Sequence, residues 1–277
     1  METRDLESWD DFPTVIAEIR KQHGTQTISP ANGSDYTKSH RVLFRGQSDS
    51  KWDLKTTLER KTQDRFSVEN YLADATHCVN EIESLTGIRW DIPDLPTLIG
   101  EITDTQDSMR VHLPSYAYLV YLRHHGFPSP LLDWTESPYI AAYFASCDDA
   151  KADRIAVYAY VETPTGAKAK TGGHPMISVQ GPHVSTHSRH FVQKAWYTIA
   201  TEWSYDDSRH YFCPHSRIFE RNRHSQDVLV KITLPAEERR RILRELNDFN
   251  INHFTLFQSE DSLVRAMATK LFDLDDG

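Results

Sequence analysis

The chain has 277 residues, of which 39% are hydrophobic and 11% aromatic, and its formal net charge is −9. This length and this amount of buriable surface exclude a disordered chain and predict one large domain or two small ones. The negative charge argues against a protein held on nucleic acid by bulk electrostatics, and three widely spaced cysteines fit neither a disulfide framework nor a zinc site.

The N-terminal segment METRDLESWDDF contains five acidic residues and one arginine. It therefore resembles neither a secretory signal nor a transit peptide. No window of the sequence approaches the ~20 apolar residues that a membrane-spanning helix needs. We expect a soluble, cytoplasmic protein without a membrane partner.

The N-terminal half is expected to be mostly helical around one short strand. Apolar residues at helical spacing predict helices at 12–22, 66–85 and 114–123. Residues 28–40 are rich in Pro, Gly, Asn, Asp and Ser and predict a loop, and the apolar run at 41–44 predicts a strand.

Strand patterns dominate the C-terminal half. Runs of β-branched and aromatic residues predict strands at 153–161, 189–203, 227–234 and 253–257. A Gly/Pro-rich stretch at 161–183 predicts a loop.

A helix is predicted at 235–249, with Ile242, Leu243, Leu246 and Phe249 on its buried face. Helices followed by strands favour a mixed α+β fold over a doubly wound sheet, and the sequence has no GxGxxG or GxxxxGK[ST] motif.

The segment DWTESPYIAAYFA at 133–145 predicts a helix with Ser137 as N-cap and Pro138 as its first residue. Polar side chains crowd just ahead of that helix, where free N–H groups and the helix dipole favour an anion or a polar ligand. These side chains are Asp133, Thr135, Glu136 and Ser137. A plain capping network explains them equally well.

A second short motif is VLFRGQ at 42–47. Arg45 is expected at a strand end, fixed at its base, where a guanidinium suits bidentate contact with phosphate. Gly46 would let the chain turn sharply. The alternative for Arg45 is a structural ion pair with a carboxylate.

Four stretches resemble, in order, segments of the FRG domain family: FRGQSDSKWDLKTTLER, RHHGFPSPLLDWTESPYIAAYFA, SRHFVQKAWYTIA and INHFTLFQSEDSL. The resemblance spans roughly residues 41–265, so we expect an N-terminal helix and loop at 1–40 and an FRG domain at 41–277. Ser129-Pro130 and Ala195 depart from the family's usual residues.

FRG domains are in turn similar to ADP-ribosyltransferases of the Arg-Ser-Glu type. That similarity implies a split β-sheet core with an N-terminal helical portion. It also implies an NAD-consuming enzyme, of the kind found as bacterial toxins or anti-phage defence effectors, that modifies RNA, DNA or protein. An antitoxin or chaperone partner is a further implication.

The resemblance also implies roles for individual residues. Arg45 would hold the diphosphate or the adenine-side ribose, Thr135 and Ser137 would fix the sugar, and Tyr139 or Tyr143 would stack on nicotinamide. The full NAD-binding set is Arg45, Gln47, His124, Asp133, Trp134, Thr135, Ser137, Tyr139 and Tyr143. The catalytic set is Arg45, Thr135, Ser137, Gln193 and Glu260, with no metal.

The catalytic carboxylate is left open. Gln193 stands where the resemblance would place the third motif, but an amide cannot act as a base. Glu202, Glu260 and Asp261 are later candidates, and Asp133 or Glu136 could substitute.

Two other readings remain. A metal-dependent hydrolase or nuclease would use His183, His187 and His190, whose spacing on a helix would place them on one face. A non-catalytic module would only bind a nucleotide or a partner. A basic stretch at 214–247, with eight Lys/Arg against five Asp/Glu, hints weakly at nucleic acid contact or forms a solvated surface.

Overall fold

The structure is a computed structural model that describes residues 1–28, 34–62, 66–103, 111–148, 150–164, 174–181, 184, 188–220 and 227–274. Its strands are β1 Glu2–Asp5, β2 Thr25–Ile28, β3 Tyr36–Ser39, β4 Val42–Gln47, β5 Leu132–Thr135, β6 Arg154–Val161, β7 Met176–Gln180, β8 Ala195–Ser204, β9 Arg209–Phe212 and β10 Val228–Pro235.

The helices are α1 Phe12–His23, α2 Thr57–Lys61, α3 Val68–His77, α4 Val79–Thr86, α5 Leu95–Thr103, α6 Tyr116–His124, α7 Pro138–Ser146, α8 Ser188–Val192, α9 His215–Glu220, α10 Arg239–Asp248, α11 His253–Phe257 and α12 Glu260–Ala268. Short 3-10 helices precede α1 and α10, and a π-helical segment, Thr269–Leu274, follows α12.

Most of the described strands form one mixed sheet in the order β1-β10-β6-β4-β5-β8-β7, with β9 added to β8. The β1–β10 pair is parallel, and the other pairs are antiparallel. β2 and β3 form a separate hairpin. The predicted mixed α+β class, with an N-terminal helix, is confirmed.

The sheet opens between β4 and β5. Both strands are fully described, and they pair only at Phe44 and Thr135. By contrast, β4 pairs with β6 along its whole length, and β5 pairs with β8 from Leu132 to Thr135. The sheet is therefore two well-paired halves joined at one point.

A different set of helices packs on each half of the sheet. α1, α7 and α10 pack on the half formed by β4, β6 and β10, and their contacts include Phe12, Ala141 and Ile242. α3, α5 and α6 pack against β8 through residues such as Tyr71 and Tyr197. The N-terminal segment is part of this core, since β1 extends the sheet and α1 covers it.

Most predicted elements are confirmed, but the sequence patterns predict no strand at six places where the structure has one, β1, β2, β3, β5, β7 and β9. β1, β2 and β3 are short and rich in polar residues, so they lack the apolar alternation that marks a strand. β7 lies inside the stretch predicted as a loop at 161–183. Residues 165–173 and 182–183 of that stretch, and residues 29–33 of the loop predicted at 28–40, lie outside the described residues.

Three local predictions are wrong. Residues 253–257 form α11 because Asn252 caps it: its side chain accepts from the Thr255 N–H, and the Thr255 hydroxyl accepts from the Asn252 N–H. The strand predicted at 189–203 starts only at Ala195, after α8. Phe249 follows the last residue of α10 and is 60% exposed.

Candidate functional site

A cavity of about 420 Å³ lies at the opening of the sheet. Its walls come from β4 and β5, from the C-terminal end of α6 and from α7. Gly46 makes this arrangement possible by its small size: a Cβ atom there would lie 2.0 Å from the Ala141 carbonyl oxygen. Close approach of α7 to β4, rather than the predicted sharp turn, is what requires a glycine.

Arg45 bridges the opening. Its Nη1 donates to the main-chain oxygen of Asp133 at 2.9 Å and lies 3.6 Å from the Asp133 carboxylate. The guanidinium thus joins β4 to β5 beyond the Phe44–Thr135 pair. The structural ion pair with a carboxylate is present, and Arg45 also lines the cavity, so its contact with phosphate stays a prediction.

Arg123, at the end of α6, grips the same carboxylate. Its Nε donates to Asp133 Oδ1 at 2.6 Å, its Nη2 donates to Oδ2, and its Nη1 donates to the Thr57 hydroxyl at 3.2 Å. Partial burial acts to raise the pKa of Asp133, but Arg123 and Arg45 outweigh it and hold that pKa below its ordinary value. Asp133 is thus a fixed anion that orients two cations.

The cavity is electropositive. Among the described residues that line it, four are arginines, Arg45, Arg60, Arg123 and Arg189, and two are carboxylates, Asp133 and Asp148. Burial lowers the pKa of Arg45, with the neighbouring Arg123 and Arg60 adding to the effect, so positive charge is concentrated here. An anionic ligand would relieve this repulsion.

Aromatic surfaces face the same space. Trp52, Phe144, Tyr197 and Phe257 line the cavity, and Trp52 is 46% exposed. The Tyr197 hydroxyl lies 2.9 Å from His124 Nε2. Burial and the nearby Asp133 carboxylate raise the pKa of Tyr197, so its hydroxyl stays a hydrogen-bond donor.

Thr135 and Gln193 line the cavity but already have protein partners. The Thr135 hydroxyl donates to the Gln193 carbonyl at 2.7 Å and accepts from the Ser137 N–H at 3.1 Å. The Gln193 side-chain amide donates to the Leu256 carbonyl at 3.0 Å. Both residues therefore hold the wall together, and neither supplies a base.

Of the residues predicted for the site, the structure brings six together as cavity side chains: Arg45, Gln47, His124, Asp133, Thr135 and Gln193. Trp134 adjoins the cavity, but its indole N–H donates to the Thr198 hydroxyl and its ring packs on Tyr160. Strand alternation explains this, since Asp133 and Thr135 occupy one face of β5 and Trp134 the other.

Four predicted residues lie elsewhere. Ser137 caps α7, and its hydroxyl accepts from the Ile140 N–H. Tyr139 packs against Trp9 and Phe12, and the Tyr143 hydroxyl bonds His253 at 3.0 Å. Glu260 is exposed in the first turn of α12. None of these four described side chains lines the cavity.

The other carboxylate candidates also have different positions. Glu136 accepts from Arg41 and from the Trp196 indole, and Glu202 pairs with Arg217 at 2.7 Å. Sequence reasoning missed Arg60, Arg123, Arg189, Asp148 and Tyr197. The stretch RHHGFP contains Arg123 directly before His124, and FRGQSDSKWDLKTTLER ends at Arg60, so both guanidinium groups could have been identified from these stretches.

Two buried polar atoms in the cavity region lack a hydrogen-bond partner among the described residues: Arg45 Nε and Gln47 Oε1. Buried polar groups are normally satisfied, and such atoms at a cavity wall fit a polar ligand. The alternative metal-dependent reading relied on His183, His187 and His190. His183 and His187 lie outside the described residues, and the rest of the described chain contains no metal-binding group of three or more His, Cys, Asp or Glu.

Part of the cavity wall belongs to a stretch of the chain that matches a known family. Residues 40–154 match the FRG domain. This FRG segment contains β4, α2 to α7 and β5, and it supplies Arg45, Arg60, Arg123, Asp133 and Asp148 to the cavity. Arg189, Gln193, Tyr197 and Phe257 lie beyond the match.

No curated protein and no solved structure matches the chain. In the part of the chain that the structure describes, no helix has both the length and the apolar character to cross a bilayer. The FRG segment and the cavity geometry are therefore the observations on which a function can be argued.

Proposed function

We propose that the cavity binds NAD as a substrate and that the chain is an ADP-ribosyltransferase. The observation that carries this proposal is the convergence of Arg45, Arg123 and Thr135 at the opening of the sheet, in a cavity with more guanidinium groups than carboxylates. A dinucleotide presents a diphosphate to such cations and planar rings to the aromatic walls.

The chemistry places two demands on the site. Breaking the bond between ribose and nicotinamide develops positive charge on the sugar, so the diphosphate must be held firmly and a carboxylate must face the sugar. Arg45, Arg60 and Arg123 are suited to the first role. Asp133 is gripped by two arginines, which leaves Asp148 as the described cavity carboxylate best placed for the second.

The biological role that we propose comes from the similarity of FRG domains to ADP-ribosyltransferases. An ADP-ribosyltransferase of this kind would act as a toxin or an anti-phage defence effector. A neutralising partner would then bind the protein in the cell.

NAD binding and nicotinamide release test the proposal. Arg60 is exposed at the cavity, so Arg60→Ala should leave the fold intact. Loss of one charge-assisted contact to phosphate should raise the Kd for NAD about tenfold. Calorimetric titration measures it, and Arg209→Ala, an exposed arginine on β9 away from the cavity, is the matched control.

Absence of NAD binding by the wild-type protein at millimolar concentration would refute the proposal. Binding without nicotinamide release in the presence of RNA, DNA and protein acceptors would favour the second candidate, a non-catalytic nucleotide-binding module. The ion pairing of Asp133 with Arg123 and Arg45 is the observation that keeps this candidate open.

A further inference from the structure

A second cavity, of about 740 Å³, lies beside the first. It is enclosed by the C-terminal end of α7, by α10 and α11, and by α12 with the π-helical segment that follows. Asp148 lines both cavities. Its side chain is 62% exposed, so the carboxylate stands at the boundary between two spaces that ligands can enter.

Among the described residues that line the second cavity, arginines outnumber carboxylates: Arg239, Arg240 and Arg265 against Asp148 and Asp273. Arg240 and Arg265 line it and are exposed, and Arg265 lies 4.0 Å from the Asp148 carboxylate. Asn247 and Asn252 also line it, but they bond each other, since Asn252 Nδ2 donates to Asn247 Oδ1 at 3.2 Å. Arg239 is different, because its guanidinium donates to the main-chain oxygens of Ala150 and Ser48 and so holds the wall.

An aromatic ring stands at the same cavity. Phe272, in the π-helical segment, lines it and is 81% exposed. Exposed arginines beside an exposed aromatic ring are the combination that binds single-stranded nucleic acid, because the cations contact phosphates while a base stacks on the ring. Protein interfaces also use aromatic and arginine side chains, so a protein acceptor is the outcome that the oligonucleotide assays below must exclude.

We propose that this second cavity holds a single-stranded nucleic acid acceptor and that Asp148 is the catalytic base between acceptor and NAD. The inference rests on the proposed NAD-dependent transfer. It assigns the acceptor to the cavity lined by α10, α12 and the π-helical segment, which adjoins the first cavity at Asp148.

The transfer step balances as follows. The bond between ribose C1′ and the nicotinamide nitrogen breaks, and its electron pair leaves with nicotinamide. A hydroxyl or base N–H group of the nucleic acid forms the new bond to C1′, and its proton passes to the Asp148 carboxylate and then to water.

Binding to oligonucleotides tests the acceptor site without requiring NAD. Fluorescein-labelled single-stranded RNA and DNA 12-mers should bind the wild-type protein, and Arg240→Ala and Phe272→Ala should each raise the Kd about tenfold. Arg209→Ala and Phe191→Ala are the controls, since Arg209 is exposed on β9 and Phe191 is 87% exposed on α8. Equal affinities for all five proteins would overturn the site.

The role of Asp148 is tested by transfer of ADP-ribose from labelled NAD to the same oligonucleotides. Asp148→Asn should lower kcat by about a hundredfold or more, as loss of a general base does, while the Kd for oligonucleotide is unchanged or falls because a negative charge is lost. Asp74→Asn, on an exposed position of α3, is the control. Unchanged kcat in Asp148→Asn overturns the assignment.

The two proposals fail in different experiments. If the proposed function is wrong, calorimetric titration of the wild-type protein will show no NAD binding. Failure of the present inference appears as modified protein without modified oligonucleotide, or as no labelled oligonucleotide at saturating NAD, in a sample that does bind NAD.

Discussion

The guanidinium of Arg45 contributes to the fold and to the cavity at once. One nitrogen bonds the main chain of Asp133, and another, Nε, is buried without a partner among the described residues. If the cavity binds its proposed ligand, a residue with this division of contacts would couple that binding to the joint between the half-sheets. Arg60 gives a cleaner test of binding, because it is exposed and its loss does not disturb that joint.

Substitution of Ser137 tests helix capping separately from ligand binding. Its hydroxyl accepts from the Ile140 N–H at the start of α7 and does not line the cavity. Ser137→Ala should therefore lower the free energy of unfolding by about 1 kcal/mol, as loss of an N-cap does, and leave the Kd for NAD unchanged. Urea denaturation and NAD titration check this. A large loss of NAD affinity would instead place Ser137 in the site.

His215 predicts a pH dependence of stability. It is 1% exposed, its Nε2 lies 2.9 Å from the Thr198 hydroxyl, and burial, reinforced by Arg45, lowers its pKa to about 3 from an ordinary 6.5. Above pH 6.5 both the folded and the unfolded chain hold it neutral. Below that pH only the unfolded chain takes up the proton, so stability falls by about 1.4 kcal/mol per pH unit toward pH 3.

The measurement is urea unfolding between pH 7.5 and 4.5. His215→Gln, which keeps a polar group near Thr198, should show a slope smaller by about one proton than the wild type. Identical slopes in the two proteins would show that His215 does not titrate between the folded and unfolded states in this range.

At the residue scale, the sequence predicts some residues of the cavity and misses contacts that depend on how two elements meet in space. Arg45 and Thr135 were expected in one cleft, and the structure brings them to the same cavity. The grip of Arg123 on Asp133 depends on where α6 ends relative to β5, which no local pattern contains. Tyr139 and Tyr143 share a helix with cavity residues but point to other sides of it.

At the scale of elements, the contact between β4 and α7 depends on the absence of a side chain at Gly46. Gly46→Ala would place a Cβ atom 2.0 Å from the Ala141 oxygen and 2.5 Å from the Ala145 nitrogen. The clash is with backbone, so relief requires α7 to move. We expect a loss of about 3 kcal/mol or more in the free energy of unfolding.

Gly100 is the matched control for Gly46. It lies within α5, and a Cβ atom there would meet no atom within 4 Å. Gly100→Ala should raise stability by about 1 kcal/mol, because alanine favours the helix. Thermal unfolding compares the two variants, and a stable Gly46→Ala protein would contradict the close packing of α7 on β4.

Element types were predictable where apolar periodicity was strong, as in α1, β6 and α10. They were not predictable where a neighbouring strand or a capping side chain determines the element type. β1 has an acidic, polar sequence and is a strand because β10 lies beside it. α11 looks like a strand by composition, but its Asn252–Thr255 capping box favours a helix.

At the scale of the whole molecule, the FRG segment is not a complete folding unit. It includes β4 and β5 but only the first residue of β6, and it lacks β8 and β10. A fragment of residues 40–154 would expose the apolar faces that β6, β8 and α10 cover. We expect it to show no cooperative unfolding transition, whereas the full chain should show one.

Circular dichroism during thermal unfolding distinguishes the two outcomes. The full chain, measured under the same conditions, is the control. A sharp transition in the fragment would show that the FRG segment folds without the strands that flank it.

The single pairing between β4 and β5 also bears on where the sheet could pair with a strand of another chain. Where two strands diverge, their unpaired main-chain groups resemble a free sheet edge, which on an outer surface invites pairing with strands of other molecules. Here that edge lies inside the protein, walled by α6 and α7 and spanned by a guanidinium. The unpaired main-chain groups of β4 and β5 are therefore accessible to a small molecule in the cavity but not to a strand of a neighbouring chain.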